Sequence, residues 1–172
     1  MRLMLIFAPW ALALAQTGNV PVIENDFVRV LSVTDQPSTQ PGPMHEHKGN
    51  RVMVYLDSGD LTVRWSNGKV ENQHWKPGDV AWSPAGGIHT SQNVSARPLR
   101  IVEIELKTAG HPNAATPPDR TRAIIDNPQV RVYQSEKAPV QRQYVAVDIR
   151  TAEVQWDKLP KGAGPFVIAE VK

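Results

Sequence analysis

Five histidines occur in this 172-residue chain, and three of them stand in patterns that could do metal chemistry. His45-Glu46-His47 is an H-x-H pair entering a predicted strand. On a strand, side chains two apart point to the same side, so both imidazoles can aim into one interior while Glu46 alternates away. Farther along, Gly78, Pro84, Gly86, His89 and Asn93 stand as G-x5-P-x-G-x2-H-x3-N, a histidine set among turn formers. Neutral imidazoles are ligands for divalent transition metals. With no cysteine, the chain has no thiolate ligand, no cysteine nucleophile and no disulfide framework.

The elements that must position these residues are short strands. Phe27, Val28, Val30, Leu31 and Val33 mark a strand in residues 20–34, and residues 36–43 form a loop dense in proline. Residues 51–56 are apolar and β-branched, and Leu61-Thr62-Val63-Arg64-Trp65 alternates cleanly. Asn67-Gly68 between two such runs is a strong hairpin signal. Lys76-Pro77-Gly78-Asp79 is another turn, and residues 80–83, 88–93 and 99–106 complete the series. Strands this closely spaced, with 15 prolines and 11 glycines, predict an all-β sandwich or barrel.

Residues 108–118 read as a linker. Beyond them, three stretches echo the first half in the same order: 24–31 in 126–133, 54–65 in 145–156, and 98–104 in 165–171. The stretches between the echoes have shrunk and neither contains a histidine, so the C-terminal part reads as an eroded second copy stripped of its site.

The second pattern resembles the second motif of the cupin superfamily, the germin-like barrels, over roughly residues 23–107. The resemblance implies a cupin fold, a double-stranded β-helix or jelly-roll barrel, over residues 16–110. Residues 111–172 are then linker plus degenerate half-repeat. In that fold, the hairpin shaped by Pro84 and Gly86 delivers His89 to the barrel interior opposite the H-x-H strand. One divalent ion (Fe, Mn, Zn or Ni) is then held on His45, His47 and His89. Asn93 closes the motif structurally, and it also begins an Asn93-Val94-Ser95 glycosylation sequon.

The first cupin motif departs from the family. Thr39 stands where a glycine is expected, and the glutamate expected seven before Gly59 falls on Val52, with Arg51 beside it. Without that carboxylate the centre keeps open positions and more positive charge, which favours an anionic ligand or bound hydroxide. Some thiol dioxygenases of the superfamily hold iron on three histidines, so the resemblance implies an oxygenase acting on a small anionic molecule. An isomerase or hydrolase, a non-catalytic metal- or ligand-binding module, and a scaffold with relic histidines stand as alternatives. A homodimer through edge strands is implied as well, unless the C-terminal half covers that edge.

Other residues carry expectations of their own. Glu103 and Glu105 lie on a late strand as outer partners of the ligands. Arg51 is either a receiver for a substrate carboxylate at the barrel mouth or an outward surface charge. His74 is expected at the rim and His111 in solvent. Trp65, Trp75 and Trp82 are expected in the core or at the barrel rim.

Hydrophobic residues make up 41% and charged residues 21%, the composition of a folded protein. A formal charge of +2 without any dense basic cluster argues against nucleic-acid binding. Met1-Arg2, an apolar run to Ala15 and the closing Ala13-Leu14-Ala15 read as a signal peptide over residues 1–15. The protein is therefore expected to be exported, periplasmic or secreted, and free of the membrane after cleavage.

Overall fold

A computed structural model describes residues 21–108, 122–140 and 142–172. The leader read at 1–15, most of the 108–118 linker and His111 lie outside these residues. The described residues form strands and no helix. The first half contributes β1 (Ile23–Glu24), β2 (Val28–Asp35), β3 (Arg51–Tyr55) and β4 (Gly59–Trp65), then β5 (Val70–Trp75), β6 (Val80–Ser83), β7 (His89–Asn93) and β8 (Leu99–Leu106). The second half contributes β9 (Ile125–Asp126), β10 (Val130–Ser135), β11 (Tyr144–Asp148), β12 (Val154–Trp156) and β13 (Phe166–Val171).

The strands build three antiparallel sheets. A wall sheet has the order β1-β2-β8-β3-β6, a smaller sheet the order β5-β4-β7, and a C-terminal sheet the order β12-β11-β13-β10-β9. The predicted Asn-Gly hairpin joins β4 to β5. Gly68 sits at φ 87°, and the Asn67 side chain accepts from Lys69 N at 3.0 Å.

The wall sheet is buried on both faces, which strand alternation makes possible. On β8, Val102, Ile104 and Leu106 enter an apolar core, while Ile101, Glu103 and Glu105 line a cavity on the other side. That core is shared with the C-terminal sheet: Val28, Val30, Val52 and Val54 meet Val130, Val132, Val145 and Val147 in one cluster. Each of these eight valines is fully buried, and burying such a side chain contributes about 1.5–3 kcal/mol. The C-terminal half therefore packs on its own barrel.

The C-terminal sheet repeats the wall sheet strand for strand, and details of the repeat extend to single hydrogen bonds. Asn25 Oδ1 accepts from Phe27 N and Val28 N at 2.8 and 2.9 Å, and Asn127 Oδ1 accepts from Gln129 N and Val130 N at 2.9 and 3.0 Å. Glu24 pairs with Arg29 and Lys107, and Asp126 with Arg131 and Lys172.

The register differs from the sequence alignment beyond the first stretch. Val52 lies opposite Ile104, as Val145 lies opposite Ala169, so Val145 corresponds to Val52 rather than to Val54. A shift of two residues leaves every side chain on its original face, so the hydrophobic pattern cannot expose it. β12 lies beside β11 as β6 lies beside β3, and it does not take the place of β4.

Candidate metal centre

The H-x-H pair does not sit on a regular strand. His45 makes an isolated bridge to His89, each donating its N–H to the other's carbonyl, at 2.8 and 3.0 Å. The next donors on that side of an antiparallel ladder would come from residues 43 and 41, both prolines without an N–H. The segment slips instead, and Gly42 N donates to Ser91 O at 3.3 Å. His47 is held separately, its carbonyl accepting from Gly86 N at 2.8 Å.

Two glycines make this arrangement possible. Gly86 and Gly87 lie at φ 81° and 75°, a region that L side chains rarely adopt. A Cβ at Gly87 would also stand 2.8 Å from the Trp65 ring, which itself lies 4.9 Å from the His89 ring. The turn thus serves both sides of the site: its backbone holds His47 and sets the approach of His89.

The three imidazoles converge. Their ring centroids are 4.7, 4.8 and 5.4 Å apart, and one nitrogen from each lies within 4.8 Å of the others. His45 Nδ1 lies 3.1 Å from Pro43 O, and His89 Nδ1 lies 3.1 Å from Gly87 O. A carbonyl only accepts, so each Nδ1 carries the proton and each Nε2 keeps its lone pair. This is the outer hydrogen bond that orients metal-bound histidines. Burial pushes His47 down to about 3, with Arg51, His45 and His89 adding to the effect. His89 is lowered chiefly by burial as well, against the opposing bond to Gly87. Near neutral pH both rings are uncharged, the form in which an imidazole binds a transition-metal ion.

The cavity behind the histidines has a volume of about 820 Å³ and runs between the wall sheet and the small sheet. Its deep end is apolar, with Met53, Leu61 and Ile101 beside a Tyr55–Trp75 stack at 3.8 Å. Burial, with Glu103 nearby, raises the Tyr55 phenol above its ordinary value, so it remains protonated.

The charged wall corrects the expectation for Arg51. Val52, where the family glutamate was counted, points away into the shared core, and its neighbour Arg51 faces the cavity. Arg51 is 4% exposed, neither at the mouth nor outside, and donates from Nη1 to Glu103 at 2.8 Å and from Nη2 to Ser83 at 3.1 Å. Glu103 and Glu105 lie near one histidine: one atom each of His47, Glu103 and Glu105 lies within 4.8 Å of the others. Burial raises Glu103 above the usual carboxylate range despite Arg51, and burial likewise raises Asp35 on the same cavity. Asp35 was missed because it ends β2 beside a proline-rich loop, with no motif to mark it.

The remaining expectations fall where the topology puts them. His74 is exposed and paired with Asp60 at 2.7 Å, outside the cluster. Trp65 and Trp75 line the cavity, and Trp82 also packs against the shared core. Asn93 is 1% exposed and donates through Nδ2 to Asp35 O and Arg97 O at 2.8 and 3.0 Å, so the sequon asparagine is a buried tie.

Residues 31–105 match the family model described as Cupin domain. The chain carries a cupin domain. Among solved structures it is similar to a cupin domain from Bordetella pertussis Tohama I, at 26% identity over 52% of this chain and 92% of that one, with a TM-score of 0.48. It is also similar to a cupin superfamily protein from Desulfitobacterium hafniense, at 17% identity over 52% and 76%, TM-score 0.41. An RmlC-like cupin family protein from Methanocaldococcus jannaschii aligns at 13% identity over 60% and 93%, TM-score 0.42. No curated protein matches the chain.

Proposed function

We propose that this cupin is an exported metalloprotein that binds one divalent transition-metal ion on His45, His47 and His89 and a small organic molecule in the cavity beside it. The convergence of three nitrogens, two of them on Nδ1-anchored rings, carries this reading. When bound, the ion would supply Lewis acidity or oxygen chemistry. The chain's own groups exclude water and orient the ligand: the aromatic stack covers its apolar end, and Arg51 is fixed beside the histidines.

Iron-dependent oxidation is the reaction this set supports first, with a redox-silent binding module as its competitor. The ligand is better read as neutral or amine-bearing than as anionic. Asp35, Glu103 and Glu105 line the cavity against Arg51, so the wall already offers the negative charge that the absent motif carboxylate was expected to leave unmet. Residues 122–172 read as a degenerate second copy that serves as scaffold.

Elemental analysis of the purified mature protein, beside a variant with all three histidines changed to Ala, tests the core of this reading. About one equivalent of iron, manganese, zinc or nickel is expected, and none in the variant. Equal uptake by both ends the proposal. Oxygen consumption by the iron form with small thiols, catechols and amines then separates oxygenase from binder. N-terminal sequencing of the secreted protein tests export, with Gln16 expected first.

A further inference from the structure

Most of the charge on the cavity wall is paired, and the pairing stops at Asp35. Arg51 and Arg29 both stand opposite Glu105 of β8, on its two neighbours β3 and β2. Arg51 donates to Glu103 and Arg29 to Glu105. Asp35 lines the same cavity but stands opposite Leu99, six positions away along β8, about 20 Å of extended strand. Arg100, next to Leu99, alternates to the other face of the strand and is held by Asp57 at 2.8 Å. Among the described residues, no ion pair or hydrogen bond reaches the Asp35 carboxylate, although Asn93 Nδ2 fixes its backbone carbonyl. A partly buried carboxylate without a partner is costly to a fold.

A second unmet group faces the same space. Tyr55 stands opposite Ile101, so it and Asp35 flank β8 one alternation apart, and both turn inward. Tyr55 is 4% exposed, and its phenol has no hydrogen-bond partner among the described residues. The Asp35 charge is near enough to help hold that phenol protonated. Around Tyr55 pack Met53, Leu61, Leu99 and Ile101, all apolar. An ammonium group complements this pair, because its N–H donors meet a carboxylate by charge and a phenol oxygen by its lone pair. We propose that the cavity ligand is a primary amine bound in its ammonium form. Asp35 is its anchor, the Tyr55 oxygen a second acceptor, and the apolar floor holds its carbon skeleton. A carboxylate ligand would meet Asp35 with like charge, and an alcohol would leave that charge unmatched. This inference rests on the proposed binding of a small organic molecule in the cavity.

Calorimetric titration near neutral pH tests it with shape-matched probes: hexylamine and phenethylamine beside hexanol, phenethyl alcohol and phenylacetate. Asp35→Asn keeps the shape of the side chain. Glu71→Gln removes a carboxylate of the same cavity that already pairs with Lys69. Metal content and circular dichroism are recorded for each variant, and the wild-type comparison reads the ligand class without any variant. The metal-loaded wild-type protein is expected to bind an amine about ten- to hundredfold more tightly than its alcohol, the range of a hydrogen bond to a charged group. That preference should vanish in Asp35→Asn and persist in Glu71→Gln. Wild-type preference for the alcohols or the acid, or an amine preference that survives in Asp35→Asn, would overturn the inference. So would loss of metal from Asp35→Asn, which makes Asp35 part of the metal centre. Loss of amine binding from the folded three-histidine variant would overturn it too, because the ion would then be the receiver. Metal uptake without binding of any probe overturns the inference and leaves the metal reading standing; amine binding without metal uptake does the reverse.

Discussion

The wall sheet and the C-terminal sheet share strand order, an asparagine cap and a three-residue ion cluster, yet one faces a cavity and the other turns the same face into a packed cluster. Their registers make the difference specific. Where the wall sheet has Leu31, Met53, Ile101 and Glu103, the corresponding positions of the C-terminal sheet hold Tyr133, Ala146, Phe166 and Ile168. Arg51 corresponds to Tyr144. Tyr133, Tyr144, Ala146, Phe166 and Ile168 make a cluster of their own, each at most 4% exposed. One sheet has spent its inner face on packing; the other keeps charge, space and the approach to three histidines. Frame and function therefore separate cleanly: the outward faces are nearly interchangeable, and the inward faces are not.

The sharpest break of this comparison is at the histidines. His89→Ala should lower metal affinity by more than a hundredfold in equilibrium dialysis, whereas Tyr144→Phe on the other sheet should leave it unchanged. Next comes the buried ion pair. Arg51→Met leaves Glu103 uncompensated and should cost about 3–5 kcal/mol in urea denaturation, with much of that recovered when Glu103→Gln is added. Ile104→Ala in the shared core should cost about 2–5 kcal/mol, and because both sheets contribute to that core, loss of tryptophan fluorescence and of strand dichroism should coincide.

The smallest effect tests the duplicated ion cluster. Asp126 is held below the usual carboxylate range by Lys172 and then Arg131. A depressed folded value means that the stabilisation is present above the unfolded value near 3.9 and is lost as pH falls through the folded one. Asp126→Asn should remove about 0.5 kcal/mol at pH 7, a figure already discounted for exposure, and nothing once the wild-type carboxylate is protonated. Chemical denaturation from pH 7 to pH 2 measures it.

Much of this was legible in the sequence because the relevant signals are local. Alternation marked β4, Asn67-Gly68 marked a hairpin, and the spacing around His89 marked the turn that carries it. The rest depended on pairing. Val52 and Arg51 are adjacent, and counting from Gly59 chose the one that faces the core; only the ladder to β8 shows that Arg51 is the inward residue. The strand expected at His45 and His47 was interrupted by Pro41 and Pro43, although the two rings still converge. Glu103 and Glu105 became prominent once β8 lay beside β3, a neighbour far away in sequence.

The central place of β13 in its sheet has a consequence for the order in which the core closes. β13 hydrogen-bonds to both β10 and β11, and its Val167, Ala169 and Val171 back the wall that carries Arg51 and β8. The barrel precedes these residues in synthesis, so its outer face waits, apolar and uncovered, until β13 has emerged. Such late, long-range closure is slow, and it leaves a sticky intermediate. A nascent chain held unfolded until released whole would avoid that exposure; one paused after β8 would present the full valine face to its neighbours.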